Sequence, residues 1–241
     1  MKRVMLQPAY VLHRRPYRES SFLIELFTLE YGRLTGIAKG ARQQKSSILG
    51  LLQPFTPLQI SWVGKAELMT ITQVELNGEV ARLQGDCLFA GFYLNELLIT
   101  LLEKWDPHIK LFSVYADTIA HLAGVRLEEK ILRSFEKFLL EDLGYGLLPK
   151  TDISLHNKLS PEKYYRLVPE QGWVESELGD DVQTKFNIFS GKTLLAIAKE
   201  DWSELETLQD AKRLTRIALA PLLGKRPIYS RQLFLRLNES E

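Results

Sequence analysis

One cysteine, Cys87, stands in 241 residues. A single thiol excludes a disulfide framework and a thiolate zinc cluster alike. Long hydrophobic runs are missing too. No apolar stretch approaches the roughly 20 residues a membrane helix needs, and the opening MKRVMLQPAY lacks the apolar core of a secretory signal. The expectation is a soluble cytoplasmic protein with no membrane partner.

Catalytic signatures are equally scarce. Ser190-Gly191-Lys192-Thr193 ends like a phosphate-binding P-loop, but Phe186 stands where that motif needs its first glycine. Ser190 reads better as a helix cap. Glu128-Glu129 and Asp180-Asp181 are chain neighbours, which point about 100° apart on a helix and do not converge on one ion. His13, His108, His121 and His156 share no ligand spacing, and His121 reads as packed beside a hydrophobic stripe. No nucleophile motif is present. The reading is a protein that is not an enzyme and needs no cofactor or metal.

What is present is an ordinary core-forming composition with unevenly placed charge. Hydrophobic residues make up 45% and charged ones 25%, so disorder is not the default. The net charge of +1 hides two basic ends. From Met1 to Lys45, nine cations face only Glu19, Glu25 and Glu30; from Asp210 to Arg236, seven cations face Asp210 alone. This layout suits a polyanionic partner.

The first eighty residues read as β-rich. Ala9 to His13, Ser21 to Thr28, Arg33 to Lys39, Leu58 to Trp62 and Leu68 to Leu76 are candidate strands, several alternating with period two. Five short strands suit a small closed barrel of OB type, with an SH3-like barrel fitting nearly as well. Within this region, Gly40 to Ser47 is a polar loop, and Lys39, Arg42 and Lys45 form a candidate phosphate clamp; ordinary surface basicity is the plainer reading. Tyr10 and Tyr17 are candidate stacking residues, each also readable as core or rim.

Near Asp86 the period becomes helical. Stripes run from Leu88 to Trp105, from Leu111 to Leu122 and from Ile131 to Leu143, the last stopped by Gly144. Pro149 to Pro161 is turn-rich, and YYRLVPEQGWVE (164–175) reads as a hairpin. Helices are expected over Gly191 to Lys199 and Glu204 to Leu223, with Pro221 ending or kinking the second, and Ser230 can cap a last short one. The architecture is therefore α+β: an OB-type barrel over 1–80, then an α-helical domain over 81–241 with a β insertion near 150–180.

Six stretches in order resemble the bacterial recombination mediator family RecO: AYVLHRRPYRESS (9–21), AKGAR (38–42), LQPFTPL (52–58), YLNELL (93–98), RSFEKFLLEDLGYG (133–146) and AKRLTRIALAPLLGKRPIYSRQLF (211–234). The resemblance implies binding of single- and double-stranded DNA, strand annealing, and loading of recombinase with RecR onto DNA coated by single-strand DNA-binding protein. It also implies association with the nucleoid. Arg14, Arg15, Arg33, Lys39, Arg42 and Lys45 are the DNA-binding candidates. Many members carry four zinc-binding cysteines after the LGYG segment; Lys150 to Glu177 contains none, so packing must hold this hairpin.

The resemblance also implies that the acidic tail of single-strand DNA-binding protein binds on the helical domain. Arg133 and Lys137 are four apart on one helix face, with Phe135, Phe138 and Leu139 as an apolar flank. The plainer reading pairs Arg133 with Glu129. Two rival functions remain open: a protein-interaction adaptor and an RNA-binding barrel protein.

Overall fold

The computed structural model describes residues 2–43, 46–64, 68–124, 126–147, 159–168, 172–177 and 186–232. The chain divides into two compact units: one runs to Leu127 and takes back the segment from Arg226 onward, the other is Glu128–Lys225.

In the first unit, β1 (Lys2–Tyr17), β2 (Ser21–Thr28), β3 (Gly32–Ala38), β4 (Pro57–Gly64) and β5 (Leu68–Leu76) close a barrel in the order β1-β2-β3-β5-β4. Only β3 and β5 pair in parallel. This is an OB-type barrel. Alternation explains its interior: Ile24, Leu26, Leu34, Leu58, Ile60 and Trp62 point inward and are buried together.

The outward side chains divide. Tyr10 and its cross-strand partner Phe27 are covered by Phe112 and Tyr115 of α2 (Ile109–Leu122), with ring centroids 5.1–6.1 Å apart. Tyr10 is therefore core. Between Val11 and His13 the β1–β2 register slips by one residue, so Leu12 is a bulge. Asn95 of α1 (Gly85–Leu101) fixes that bulge: its amide donates to the Leu12 carbonyl at 2.8 Å and its oxygen accepts from Tyr115 Oη at 2.6 Å.

Several expectations need correction. Strand β1 starts at Lys2 rather than Ala9; Pro8 and a second bulge between Val4 and Gln7 hid its alternation. Helix α1 stops at Leu101, before Trp105. The chain instead runs onto β3, where the Trp105 N–H donates to the Arg33 carbonyl at 2.9 Å and Trp105 takes φ +66°. That approach demands glycine at position 32, where φ is +62° and a Cβ would lie 1.8 Å from the Asp106 oxygen. His121 is exposed, its Nδ1–H donating to the Asp117 carbonyl. Ser230 does not cap its short helix. Glu96 does, accepting from the Tyr229 and Ser230 amides and the Ser230 hydroxyl at 2.6–2.8 Å.

The second unit contains α3 (Glu129–Asp142), a sheet in the order β7-β6-β8, α4 (Gly191–Lys199) and α5 (Leu205–Leu223). Its strands are β6 (Tyr164–Val168), β7 (Gly172–Ser176) and β8 (Ile188–Ser190). Ser190 caps α4 as expected, accepting from the Thr193 amide at 3.1 Å. Pro221 lies in the last turn of α5. The hairpin is held by aromatic packing: Trp173 stands edge-on to Phe189, and its Nε1–H donates to the Leu147 carbonyl at 2.7 Å.

The Asn95 bridge yields a test. Tyr115→Phe removes the hydroxyl that donates to a buried amide oxygen, which should cost about 1–3 kcal/mol of folding stability. Urea unfolding should show a lower midpoint with an unchanged slope.

Candidate nucleic-acid interface

The Leu12 bulge decides which cations reach the outer wall. Val11 faces inward, Leu12 is the extra residue, and the parity then resumes shifted, so Arg14 pairs with inward-facing Ile24 while Arg15 and Tyr17 turn outward. Arg14 closes the end of the barrel. Its guanidinium lies 4.9 Å from the Phe22 ring centroid and donates to the Leu49 carbonyl at 3.4 Å. Burial pushes its pKa below the ordinary arginine value.

Arg15, Leu23 and Ile37 are register partners across β1, β2 and β3. Two residues toward the β1–β2 turn, Tyr17 pairs with Ser21. Lys39 follows the end of β3 beside them. Tyr17, Arg18, Ile37, Lys39 and Gly40 line an open depression of about 490 Å³ with the serines and Glu19 of the turn. Arg42 locks its edge: its backbone N–H donates to the Ser20 carbonyl at 2.9 Å and its guanidinium to the Arg18 carbonyl at 3.0 Å. Arg15, Arg18, Lys39 and Arg42 are all exposed. The structure thus gathers three of the candidate cations and adds Arg18, which sequence reasoning counted as charge without placing in the site. Its signal was the short polar turn between two strands.

Arg33 is differently used. Its side chain is 14% exposed and pairs with Glu25 Oε2 at 3.0 Å, while its Nε–H donates to the Leu102 carbonyl. That charge is answered internally. Lys45 lies outside the described residues.

The α3 candidates also separate. Phe135 and Leu139 are core, and Arg133 is 6% exposed. Its partner is not Glu129 but Glu136, at 2.7 Å, with Thr215 of α5 accepting from the same nitrogen. Glu129 pairs with Lys212. Burial of the guanidinium removes Arg133 from the surface where a ligand carboxylate would meet it. Lys137 and half-buried Phe138 stay nearer the surface. Glu200, the left-handed cap of α4, accepts from Lys137 Nζ at 2.8 Å and from the Ser134 hydroxyl at 2.9 Å. Trp202 Nε1 also donates to Ser134.

No helix among the described residues is long and apolar enough to cross a membrane. Two family models match the chain: Recombination protein O N terminal over residues 1–79 and Recombination protein O C terminal over residues 82–232. The DNA repair protein RecO of Coxiella burnetii is 43% identical over 232 residues, 96% of this chain and 98% of that protein. The proteins of the same name from Dechloromonas aromatica and Pseudomonas paraeruginosa are 42% and 44% identical, each covering 97% of this chain and 96% of its own length.

The interior ion pair of the second unit can be tested alone. Glu136→Gln leaves the Arg133 charge buried without its counter-ion and should destabilise the protein by about 3–5 kcal/mol. Glu129→Gln, which touches only an exposed pair, should change the denaturation midpoint little.

Proposed function

The chain belongs to the recombination protein O (RecO) family of DNA repair proteins, and from that premise we propose that it is a non-enzymatic mediator of recombinational repair. It binds DNA, anneals strands, and with RecR helps load recombinase onto single strands coated by single-strand DNA-binding protein. A mediator breaks no bond; it must hold a polyanion and recruit partners. The observation that supports DNA binding is the end of the barrel wall, where exposed Arg18 and Lys39 line a depression and exposed Arg15 and Arg42 lie on the adjoining strand and loop. Helices cover the wall further along the same strands. Arg14 closes the end of the barrel, Arg33 is tied down on its outer face by Glu25 and the Leu102 carbonyl, and Lys45 continues the basic loop in sequence.

We assign the tail of single-strand DNA-binding protein to the half-buried flank of α3 at Ser134, Lys137 and Phe138, where the Lys137 side chain is 12% exposed. A carboxylate already sits on Lys137 and Ser134: that of Glu200. A ligand carboxylate makes the same charge-assisted bonds by taking its place, with Phe138 beside it as the apolar contact. Arg133, Phe135 and Leu139 hold the helix from beneath.

Replacing Arg15, Lys39 and Arg42 together by alanine should weaken binding to mixed-sequence oligonucleotides. The slope of log affinity against log salt should fall by about 2 for single strands if each cation meets one phosphate. An unchanged slope in a folded triple variant would reject the interface, and an equal-length RNA competitor that displaces DNA would favour the RNA-binding alternative. In the helical domain, Lys137→Ala should weaken tail-peptide binding by at least about 1.5 kcal/mol, with naked-DNA affinity unchanged. Glu200→Gln should strengthen it. Fluorescence anisotropy with the labelled tail reads both.

A further inference from the structure

The depression at the β1–β2 turn has a chemistry that charge alone does not explain. Its floor is apolar: Tyr17 on β1 and Ile37 on β3 are both half-buried and both outward. Its rim carries the cations of Arg18 and Lys39 and one acid, Glu19. Arg18 takes φ +53° and lays its guanidinium 5.3 Å from the Tyr17 ring centroid. A non-glycine residue in that backbone region is uncommon, and the turn is locked by the two bonds from Arg42. The backbone that carries the ring and the cation is thus fixed, while the guanidinium itself is held only by the ring.

We propose that Tyr17, Ile37, Arg18 and Lys39 form a seat for one unstacked nucleotide of single-stranded DNA. The proposal rests on the DNA-binding reading above and adds to it a source of strand preference. The base lies on the Tyr17 ring, displacing the Arg18 guanidinium toward the backbone. Its phosphate meets Lys39, and the charge of Glu19 on the same rim repels a second phosphate. Three features fit this occupant. A volume of about 490 Å³ is at the lower end of small-ligand sites, too small for a base pair and its two backbones. An aromatic face beside a cation is how single-strand binders hold a base without reading its identity. In a duplex, bases already stacked and paired present no free face, so the seat acts on single strands only. Arg15, one turn of the strand pleat away on the same outer wall, takes a neighbouring phosphate.

The test uses the full chain with an oligothymidine strand and with a duplex of equal length, across a salt series. Tyr17→Ala should weaken single-strand binding between about 5- and 160-fold, the range of one stacked base. Duplex binding should stay within about twofold and the salt slope should not move, since no cation is lost. Tyr17→Phe should bind as the parent does, while Tyr17→Leu, which keeps apolar bulk without a π face, should behave as the alanine variant. A folded Tyr17→Leu protein with parental single-strand affinity overturns the seat. So does an equal loss on single strand and duplex. Competition by free thymidine monophosphate at concentrations matching the strand's would overturn the assignment to a polymer. In each of these cases the basic wall, read by the alanine triple variant, stands or falls separately.

Discussion

The Asn95 amide on the Leu12 carbonyl is the contact on which the use of the first unit turns. A bulge inserts one residue into one strand, so every side chain beyond it changes face. On β1 the outward side chain before it, Tyr10, packs against α2, and the outward ones after it are exposed Arg15 and half-buried Tyr17. Were the bulge erased, Arg15 would turn toward the barrel interior, where an unpaired charge is prohibitively costly. The bulge leaves a backbone carbonyl out of the ladder, and Asn95 is the donor that satisfies it. Tyr115 completes the chain by donating to Asn95, and its burial pushes its own pKa well up, so it stays protonated as that role requires.

The cations divide according to whether the fold has answered their charge. Arg33 bonds a carboxylate and a carbonyl, Arg14 lies on an aromatic ring, and Arg133 faces Glu136 inside the second unit. Each is structural because taking a guanidinium out of water requires compensating partners at close range. Arg15, Arg18 and Lys39 remain exposed. Their charge is still available to release counterions from a nucleic acid backbone. Clustering of basic residues in the sequence could not make this separation; burial does.

The parts legible in the sequence were those governed by unbroken periodicity. Strands β2 and β5 were read to the residue, as was α4, because alternation in SFLIELFT and the Ser190 cap are local signals. The N-terminal half of β1 was not, since Pro8 and two bulges break its period. The burial of Arg133 was illegible for another reason. Helical spacing groups residues on a face but does not say whether that face looks outward; Glu136, three residues on, is the counter-ion, and Thr215, the second acceptor, lies far along the chain. Trp105 showed the same limit: it continued a helical stripe, but pairing with β3 took the chain elsewhere.

The small sheet shows how packing serves where coordination is absent from the sequence. Phe189 is gripped on two sides, edge-on by Trp173 and by the Arg213 guanidinium 4.3 Å from its centroid. Arg213 is fixed in turn by Asp210 and by the Ile188 carbonyl. Tyr165 accepts the Ser160 amide, and Gly191 lies so near the Ser160 oxygen that a Cβ would come within 1.9 Å of it. A thiolate–metal site would make this region sensitive to oxidants, chelators and acid, because its ligands must stay deprotonated. An aromatic cluster tied by amide and guanidinium bonds has no such dependence. Its strength scales instead with buried area and with the fit of one ring against its neighbours.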